Sequence, residues 1–196
     1  MPRESSRREA VAQAAADYVL EHGLVGLSLR PLAAALGTSD RMLLYHFDSK
    51  DDLVAAVLRV TNDRSSAVIR ALPPSGDVRS AVLDLWAAMT TTQVDRCQRT
   101  YVEAAALGLF GQEPYASVVR EANAVWVAAV ADHLVAAGTP PERAGRATML
   151  LDAAFMGFQL DLPLDAGDPG IGRAVTDLAD AVAAIAAHGR AGQGSA

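Results

Sequence analysis

The segment from Ser28 to Lys50 constrains the fold most strongly, because it combines two short helical patterns with a glycine between them. Ser28 can cap a first helix over Leu29–Leu36, and Pro31 falls in its first turn, where a missing N–H is tolerated. Gly37 follows, and glycine can adopt positive φ after a helix end. The pattern predicts a helix, a tight turn and the start of a second helix.

The second helix of this pattern is short, and a third follows it directly. Either Thr38 or Ser39 can cap a helix of about two turns near Asp40 to Phe47. Ser49 begins a capping box with Asp52 in the place usually taken by Glu or Gln, so a third helix is predicted to begin there. A helix, a glycine-containing turn and a short second helix form the helix-turn-helix pattern, whose second helix lies in the DNA major groove.

The residues of this segment also resemble the N-terminal signature of the TetR family of transcriptional regulators, and the likeness extends over roughly 11–58. It rests on the run GTSDRMLLYHF from Gly37 to Phe47 and on the Ser-Lys pair that ends at Lys50. The resemblance implies that Phe47 anchors the short helix to the core and that Lys50 faces the DNA backbone. One residue differs, because Leu44 stands where most of the family has tyrosine.

Several polar residues of the segment are candidates for DNA contact. Arg41 lies in the first turn of the predicted recognition helix, where an arginine can pair with O6 and N7 of guanine. Met42 is a candidate for contact with a thymine methyl group or sugar edge, and Arg30 for contact with a base or phosphate. Leu43 and Leu44 are predicted to be core residues. The candidates for holding the sugar-phosphate backbone are Ser28, Thr38, Ser39, Tyr45, His46 and Lys50. The alternative is that these polar groups only cap and solvate two surface helices.

Composition favours an all-α, globular protein. About half of the 196 residues are apolar, alanine dominates, and the Val/Ile/Thr alternation of strands is nearly absent. Cys97 is the single cysteine, so an intrachain disulfide is excluded and a reducing compartment is favoured. We recognise neither a signal peptide nor an apolar stretch of the roughly 18 residues that a membrane span requires. The expected location is the cytoplasm, with no membrane partner.

Charge is unevenly distributed along the chain. Residues 1–72 carry nine Lys/Arg and nine Asp/Glu, whereas residues 73–196 carry eight and fourteen. The first part is therefore not the strongly basic patch of a non-specific DNA binder. A helix-turn-helix module remains compatible with this balance if Arg30, Arg41 and Lys50 cluster on one face.

Apolar residues at helical spacing predict about nine helices in two domains. A capping box at Ser6 opens a first helix that ends at Gly23, and prolines and a glycine interrupt the helical pattern over 73–76. A capping box that begins at Thr139 and an N-cap residue at Asp168 are predicted to begin two later helices. The predicted divisions are a helix-turn-helix domain over 1–50, a linking helix over about 50–72, a ligand-binding and dimerisation domain over 73–189, and a disordered tail over 190–196.

The resemblance to the TetR family implies that the second domain holds a small-molecule effector. The polar residues that would orient it are Gln159, Glu103, Asp152 and His133, and the remaining pocket is expected to be mostly apolar. The candidate pocket residues are Trp86, Met89, Tyr101, Phe110, Trp126, Met149, Phe155, Phe158 and Gln159. For each large apolar residue alone, a place in an ordinary core is the more frequent outcome.

The resemblance also implies a homodimer formed by the last two helices. Small residues on these helices would allow close approach, although alanine faces also occur inside ordinary bundles. The candidate interface residues are Ala153, Gly157, Leu178, Val182 and Ile185.

A function class other than DNA binding finds little support. The four histidines are isolated, with no H-x-x-x-H, C-x-x-C or phosphate loop, so neither catalysis nor a metal or cofactor is predicted. The expected function is a repressor that a small, mostly apolar ligand releases from a palindromic double-stranded DNA operator. The alternative is a helical dimeric interaction or ligand-binding protein without specific DNA binding.

Overall fold

The computed structural model describes residues 2–163 and 169–187, with side chains described from 6 to 163 and from 170 to 187. These residues form nine α-helices and no strand, which confirms the predicted all-α class. The predicted cap at Asp168 and the predicted tail over 190–196 lie outside the described residues. The helices are α1 Pro2–His22, α2 Leu29–Ala35, α3 Asp40–His46, α4 Lys50–Arg70, α5 Val78–Met89, α6 Thr92–Leu109, α7 Tyr115–Ala136, α8 Pro141–Asp161 and α9 Pro169–Ala187.

Two predicted helix starts were wrong. Helix α1 begins at Pro2, so the capping box at Ser6 lies inside the helix. Arginine, glutamate and serine are all tolerated in a helix interior, and a box sequence therefore does not by itself stop a helix from extending toward the N-terminus. Helix α8 has Pro140 rather than Thr139 at its cap position, and Pro141 is the first helical residue as predicted. The Thr139 hydroxyl is buried and has no hydrogen-bond partner among the described residues.

The described residues divide into two compact units. Unit 1 contains residues 2–67 and 92–124, and unit 2 contains residues 68–91, 125–163 and 169–187. Helix α6 and the first part of α7 therefore belong with the N-terminal helices, although they follow α5 in the sequence. The units are defined by long-range packing and not by position along the chain.

The core of unit 1 gathers large side chains from α1 to α4. Leu32 of α2, Leu43 of α3 and Leu53 of α4 are fully buried, and Phe47 directly after α3 is 1% exposed. Each such side chain contributes about 1.5–3 kcal/mol through burial. This core fixes α2 and α3 against α1 and α4, and it leaves one face of each short helix toward solvent.

Helix α9 packs against α5 and α8 in unit 2. The centre of its core contains Leu85, Leu134, Leu151 and Val182, none of which is more than 1% exposed. Buried apolar residues recur at helical spacing on α9, at Val175, Leu178, Val182 and Ala186. None of the helices in the described part of the chain carries an apolar stretch long enough to cross a bilayer.

Candidate nucleic-acid interface

The turn between α2 and α3 depends on Gly37. Its φ is +65°, a conformation that residues with a side chain rarely adopt. A Cβ built at this position would meet no atom within 4 Å, so the requirement for glycine is conformational and not steric. The Gly37 N–H donates to the carbonyl of Ala34 and the Thr38 N–H donates to that of Ala33, which closes the end of α2. The predicted helix–turn–helix geometry is thereby confirmed.

Ser39 rather than Thr38 caps α3. Its hydroxyl accepts a hydrogen bond of 3.3 Å from the N–H of Met42. Ser28 occupies the cap position of α2, as predicted, in extended conformation, but its side chain accepts no capping hydrogen bond. Because Ser28 is exposed, its hydroxyl faces solvent.

Helix α3 has one buried edge and one exposed face. Leu43 and Phe47, four positions apart, lie on the buried edge. Arg41 is exposed on the opposite side, together with Met42 (43%), Leu44 (44%) and Tyr45 (67%). The prediction that Leu44 belongs to the core was therefore wrong. A helix of seven residues meets the core along a single stripe, and the residue after Leu43 is rotated away from that stripe.

The start of α4 is fastened by the predicted capping residues. The Ser49 hydroxyl accepts from the N–H of Asp52 at 3.1 Å, and the Asp52 carboxylate accepts from the N–H of Asp48 at 3.1 Å. Lys50 is the first residue of α4 and is exposed. Its ammonium group therefore extends from a fixed helix start, next to the end of α3.

Arg8 of α1 joins the end of α3 to the start of α4. Its guanidinium donates to the carbonyl of His46 at 3.2 Å and to the carboxylate of Asp52 at 2.7 Å, and it lies 4.7 Å from the centre of the Phe47 ring. Burial alone would raise the pKa of Asp52, but the hydrogen bonds from Arg8 and from the Asp48 N–H hold that pKa below its ordinary value. Sequence reasoning missed Arg8, because a helical arginine carries no signal of a partner thirty-eight or more positions away.

Glu103 of α6 holds the loop between α1 and α2. One of its carboxylate oxygens accepts from the N–H of Leu24 at 2.7 Å and from the N–H of Val25 at 2.6 Å. Gly23 ends α1 at φ +84°, as predicted, and places these two N–H groups side by side. The proposed role of Glu103 as an orienting group for an effector is replaced by this structural one.

The remaining predicted DNA-contact residues lie at the edges of the same two helices. Arg30 is exposed in the first turn of α2, and Thr38 and Ser39 are exposed in the turn. His46 is half-buried, and its ring meets the ring of Tyr45 edge-on with the centroids 5.2 Å apart. The structure thus brings all nine predicted contact residues onto α2, α3, their turn and the start of α4.

Residues 12–57, which contain this arrangement, match the family of bacterial regulatory proteins called the tetR family. Those residues give the chain the N-terminal signature of the TetR family. The match covers α2, α3 and their turn completely, together with the second half of α1 and the first part of α4. No curated protein matches the chain.

Solved structures of transcriptional regulators and of a multidrug binding protein share the fold over nearly the whole chain. A TetR-family regulator from Rhodococcus sp. is 23% identical, with 93% of this chain and 99% of that one covered and a TM-score of 0.68. A transcriptional regulator from Rhodococcus sp. Rha1 is 24% identical, with 93% and 96% covered and a TM-score of 0.70. The multidrug binding protein EbrR, in complex with imidazole, is 27% identical, with 90% and 94% covered and a TM-score of 0.65. The chain has the fold of TetR-family transcriptional regulators.

The aromatic residues proposed to bind an effector separate into several groups. Trp86 lies 5.1 Å from Phe155 and 5.8 Å from Phe158 between ring centroids, so these three form one cluster in unit 2. Met89 and Trp126 belong to the same core and are buried. Met149 is 75% exposed and lies outside that core, and in unit 1 Phe110 is 83% exposed while Tyr101 is half-buried.

The polar candidates of unit 2 differ in whether they have a partner. His133 is buried, with Nε2 3.3 Å from the Ser75 hydroxyl, which in turn donates to Asp84 at 2.6 Å. Because the Ser75 proton points to Asp84, this chain of groups is a structural link and not a nucleophile–base pair. Burial raises the pKa of Asp152, and a hydrogen bond from Trp126 opposes that rise only in part.

Gln159 is the polar candidate that retains an unused acceptor. Its Oε1 atom is buried and has no hydrogen-bond partner among the described residues, and the same holds for the hydroxyl of Thr148. On α8 these two residues and Asp152 recur with a spacing of four and seven positions, so they lie along one face of the helix. No group of three or more His, Cys, Asp or Glu in the described residues has an arrangement that could hold a metal ion.

The five candidate dimer residues do not share one environment. Leu178 and Val182 are buried in the core of unit 2, so they are removed from the proposed interface. Ala153 and Gly157 are exposed on α8, and Ile185 is half-buried on α9. Helical spacing identified an apolar stripe on α9, but spacing alone does not show whether that stripe packs in the chain's own core or against a second copy.

Proposed function

We propose that this chain is a transcriptional regulator that binds a palindromic DNA operator through α3. The observation that carries the proposal is the exposed face of α3, where Arg41 lies among exposed apolar and aromatic groups on a helix anchored by Leu43 and Phe47. Arg41 would pair with a guanine, and Met42 would contact a thymine methyl group or sugar edge. Arg30 would reach a base or a phosphate, and the backbone contacts would come from Ser28, Thr38, Ser39, Tyr45, His46 and Lys50.

The proposed DNA complex contains two copies of the chain. One helix of seven residues spans too few base pairs for specificity, and two-fold related copies reading two half-sites are the usual solution. The exposed small residues Ala153 and Gly157 on α8 would allow the close approach of a second copy. Replacing Ala153 by Glu should shift the protein from dimer to monomer in sedimentation, whereas the same change at exposed Ala128 of α7 should not. A dimer that persists unchanged in the Ala153→Glu variant would contradict this interface.

The test of DNA binding is selection from a pool of genomic fragments at two salt concentrations. Recovery of one palindromic sequence that survives the higher salt supports a specific regulator, because phosphate contacts alone weaken steeply with salt. With that operator, Arg41→Ala should cost about 1–3 kcal/mol and relax the preference at one base pair. Lys50→Ala should weaken all sequences alike. Arg120→Ala, which removes an exposed arginine of α7 in unit 1, is the matched control.

Two outcomes of this selection would contradict the proposal. An Arg41→Ala protein with unchanged base preference would remove Arg41 from its assigned role. A folded, dimeric protein with no affinity for any duplex would favour the second candidate, a helical dimeric interaction or ligand-binding protein without specific DNA binding. The sequence contains no recognised catalytic motif among its histidines and cysteine, and we propose no enzymatic activity for either candidate.

The proposed effector is a small, mostly apolar molecule that binds in unit 2. The support is the contact of Trp86 with Phe155 and Phe158, together with the unused acceptor of Gln159 one residue further along α8. An aromatic ligand with one hydrogen-bond donor would stack on these rings and satisfy that acceptor. EbrR, at 26% identity, has been crystallised with ethidium, a planar aromatic cation that carries two amino groups.

Ethidium is therefore the probe for this site. Its fluorescence on titration with DNA-free protein should report saturable binding that Phe158→Ala weakens and that Gln159→Leu weakens further. Phe110→Ala, which removes an exposed ring of unit 1, should leave the affinity unchanged. Equal affinity in wild type and Phe158→Ala would contradict the site.

Release from the operator would follow from a shift between two conformations. Helix α4 contributes residues to both units, so a tilt of α4 would change the spacing of the two recognition helices in the dimer. An effector produces this shift only if it binds the two states with different affinity, typically by about 1–3 kcal/mol. We propose repression in its absence and release on binding. Ethidium should lower the operator affinity of the wild type more than that of Phe158→Ala, because its intercalation into DNA affects both proteins alike.

A further inference from the structure

Leu44 is a large apolar side chain that the chain's own core does not use. It is 44% exposed, whereas Leu43, its neighbour in the sequence, is completely buried. Exposed leucines are common on protein surfaces and need no special explanation when they occur singly. Leu44, however, lies on the face of α3 that carries Arg41, three positions earlier, and residues at that spacing are neighbours on a helix surface.

The position of Leu44 defines the chemistry of what it can contact. If Arg41 pairs with the edge of a guanine, a side chain one turn further along α3 reaches the edge of a nearby base pair. Leucine has no hydrogen-bonding group, so it cannot read an amino group, a ring nitrogen or a carbonyl oxygen. The apolar group that the major groove presents is the C5-methyl of thymine.

We propose that Leu44 is a specificity-determining residue that contacts the C5-methyl group of a thymine close to the guanine read by Arg41. The inference rests on the proposed function, since it requires α3 to enter the major groove. It assigns to Leu44 a role in base recognition, in place of the core role that the sequence predicted. Burial of the exposed leucine against the methyl group would occur only in the complex with DNA.

The experiment replaces thymines of the selected operator one at a time by deoxyuridine, which lacks only the C5-methyl group. Equilibrium affinity for each duplex is measured with wild-type protein and with Leu44→Ala at one fixed salt concentration. At one thymine per half-site the wild type should lose about fourfold in affinity, the effect expected for one buried methyl group. Leu44→Ala should bind the thymine and deoxyuridine duplexes equally at that position.

Leu109→Ala is the matched control, because it makes the same change at an exposed leucine of the same unit, at the end of α6. Leu109 lies outside α2, α3 and the start of α4, which carry the proposed DNA contacts. Leu109→Ala should keep the wild-type loss at the thymine assigned to Leu44. Alanine favours helix, and neither side chain is part of the core, so both variants should fold.

The possible failures are distinguishable. If no duplex is bound, the proposed function fails and this inference fails with it. If the operator is bound specifically but no thymine is methyl-sensitive, or if Leu44→Ala keeps the wild-type sensitivity at every thymine, the inference is overturned and the proposed function stands. Unchanged operator affinity of Leu44→Ala with every duplex would likewise overturn the inference.

Discussion

The guanidinium of Arg8 donates a 2.7 Å hydrogen bond to the carboxylate of Asp52, which joins α1 to the first turn of α4. The same guanidinium covers the ring of Phe47 and donates to the carbonyl of His46. Three separate attractions thus converge on one side chain, at the point where the candidate recognition helix ends. The orientation of α3 depends on this point, since Phe47 is the residue that leaves the helix and enters the core.

Arg8→Ala is expected to destabilise the protein by about 1 kcal/mol, because it removes charged hydrogen bonds and a cation–π contact that are partly exposed to water. Urea denaturation followed by circular dichroism measures the loss. Arg7→Ala is the control, since it removes the same charge from an exposed position next along α1. Equal unfolding free energies for the two variants would contradict the role of Arg8.

Glu103→Ala should remove the protection of two backbone N–H groups, those of Leu24 and Val25, against hydrogen exchange. Both donate to the Glu103 carboxylate in the wild type. Leu24 is 1% exposed, and a buried donor without a partner costs about 1–3 kcal/mol, whereas Val25 is exposed and its N–H can bond to water. Asp95→Ala provides the control, because this carboxylate of the same helix pairs with Arg99 at 2.9 Å. Retained protection of both N–H groups in Glu103→Ala would show that another group holds the loop.

His133 should make the stability of the protein depend on pH near neutrality. Burial holds the pKa of His133 below its ordinary value of 6.5, although the Asp84 charge opposes this in part. As the pH falls through 6.5, the unfolded chain takes up a proton that the folded chain does not, so the unfolding free energy must decrease. It should level off once the pH is below the pKa of the folded state.

The measurement is urea denaturation at several pH values, from about 8 down to about 5, on either side of the ordinary histidine pKa. The tryptophan fluorescence reports on unit 2, because Trp86 and Trp126 both lie there. The variant His133→Gln can still donate to Ser75 but cannot take up a proton, so its stability should vary less over this range. An identical pH dependence in the variant and the wild type would exclude His133 as the cause.

Phe155→Ala and Phe110→Ala should differ strongly in stability, although both residues were proposed from the sequence to line an effector pocket. Phe155 is 2% exposed and contacts Trp86, so its truncation should cost about 3–5 kcal/mol. Phe110 is 83% exposed, and its truncation should change stability by less than about 0.5 kcal/mol. Urea denaturation compares the two, and a similar loss for both would mean that Phe110 is covered in solution.

The short-range features of the molecule could be predicted from the sequence. The positive φ of Gly37, the Ser39 cap and the Ser49 cap all follow from interactions within about four positions along the chain, which a sequence pattern records directly. Helical periodicity likewise predicted the five helices that follow the prolines at 73 and 74. These local rules were sufficient for the all-α class and for the placement of the candidate recognition helix.

Long-range packing decided which apolar side chains are buried and which polar groups meet. Periodicity predicted core positions for both Leu43 and Leu44, and only the contact of α3 with the rest of unit 1 buried the first and exposed the second. The pairing of Arg8 with Asp52 and of Glu103 with the N–H of Leu24 joins residues 44 and 79 positions apart, for which no local pattern exists. The sequence by itself determined the α2–α3 turn and the caps at Ser39 and Ser49, because those interactions are local. The tertiary structure determined which face of each helix remains free to bind, because that depends on what the other helices cover.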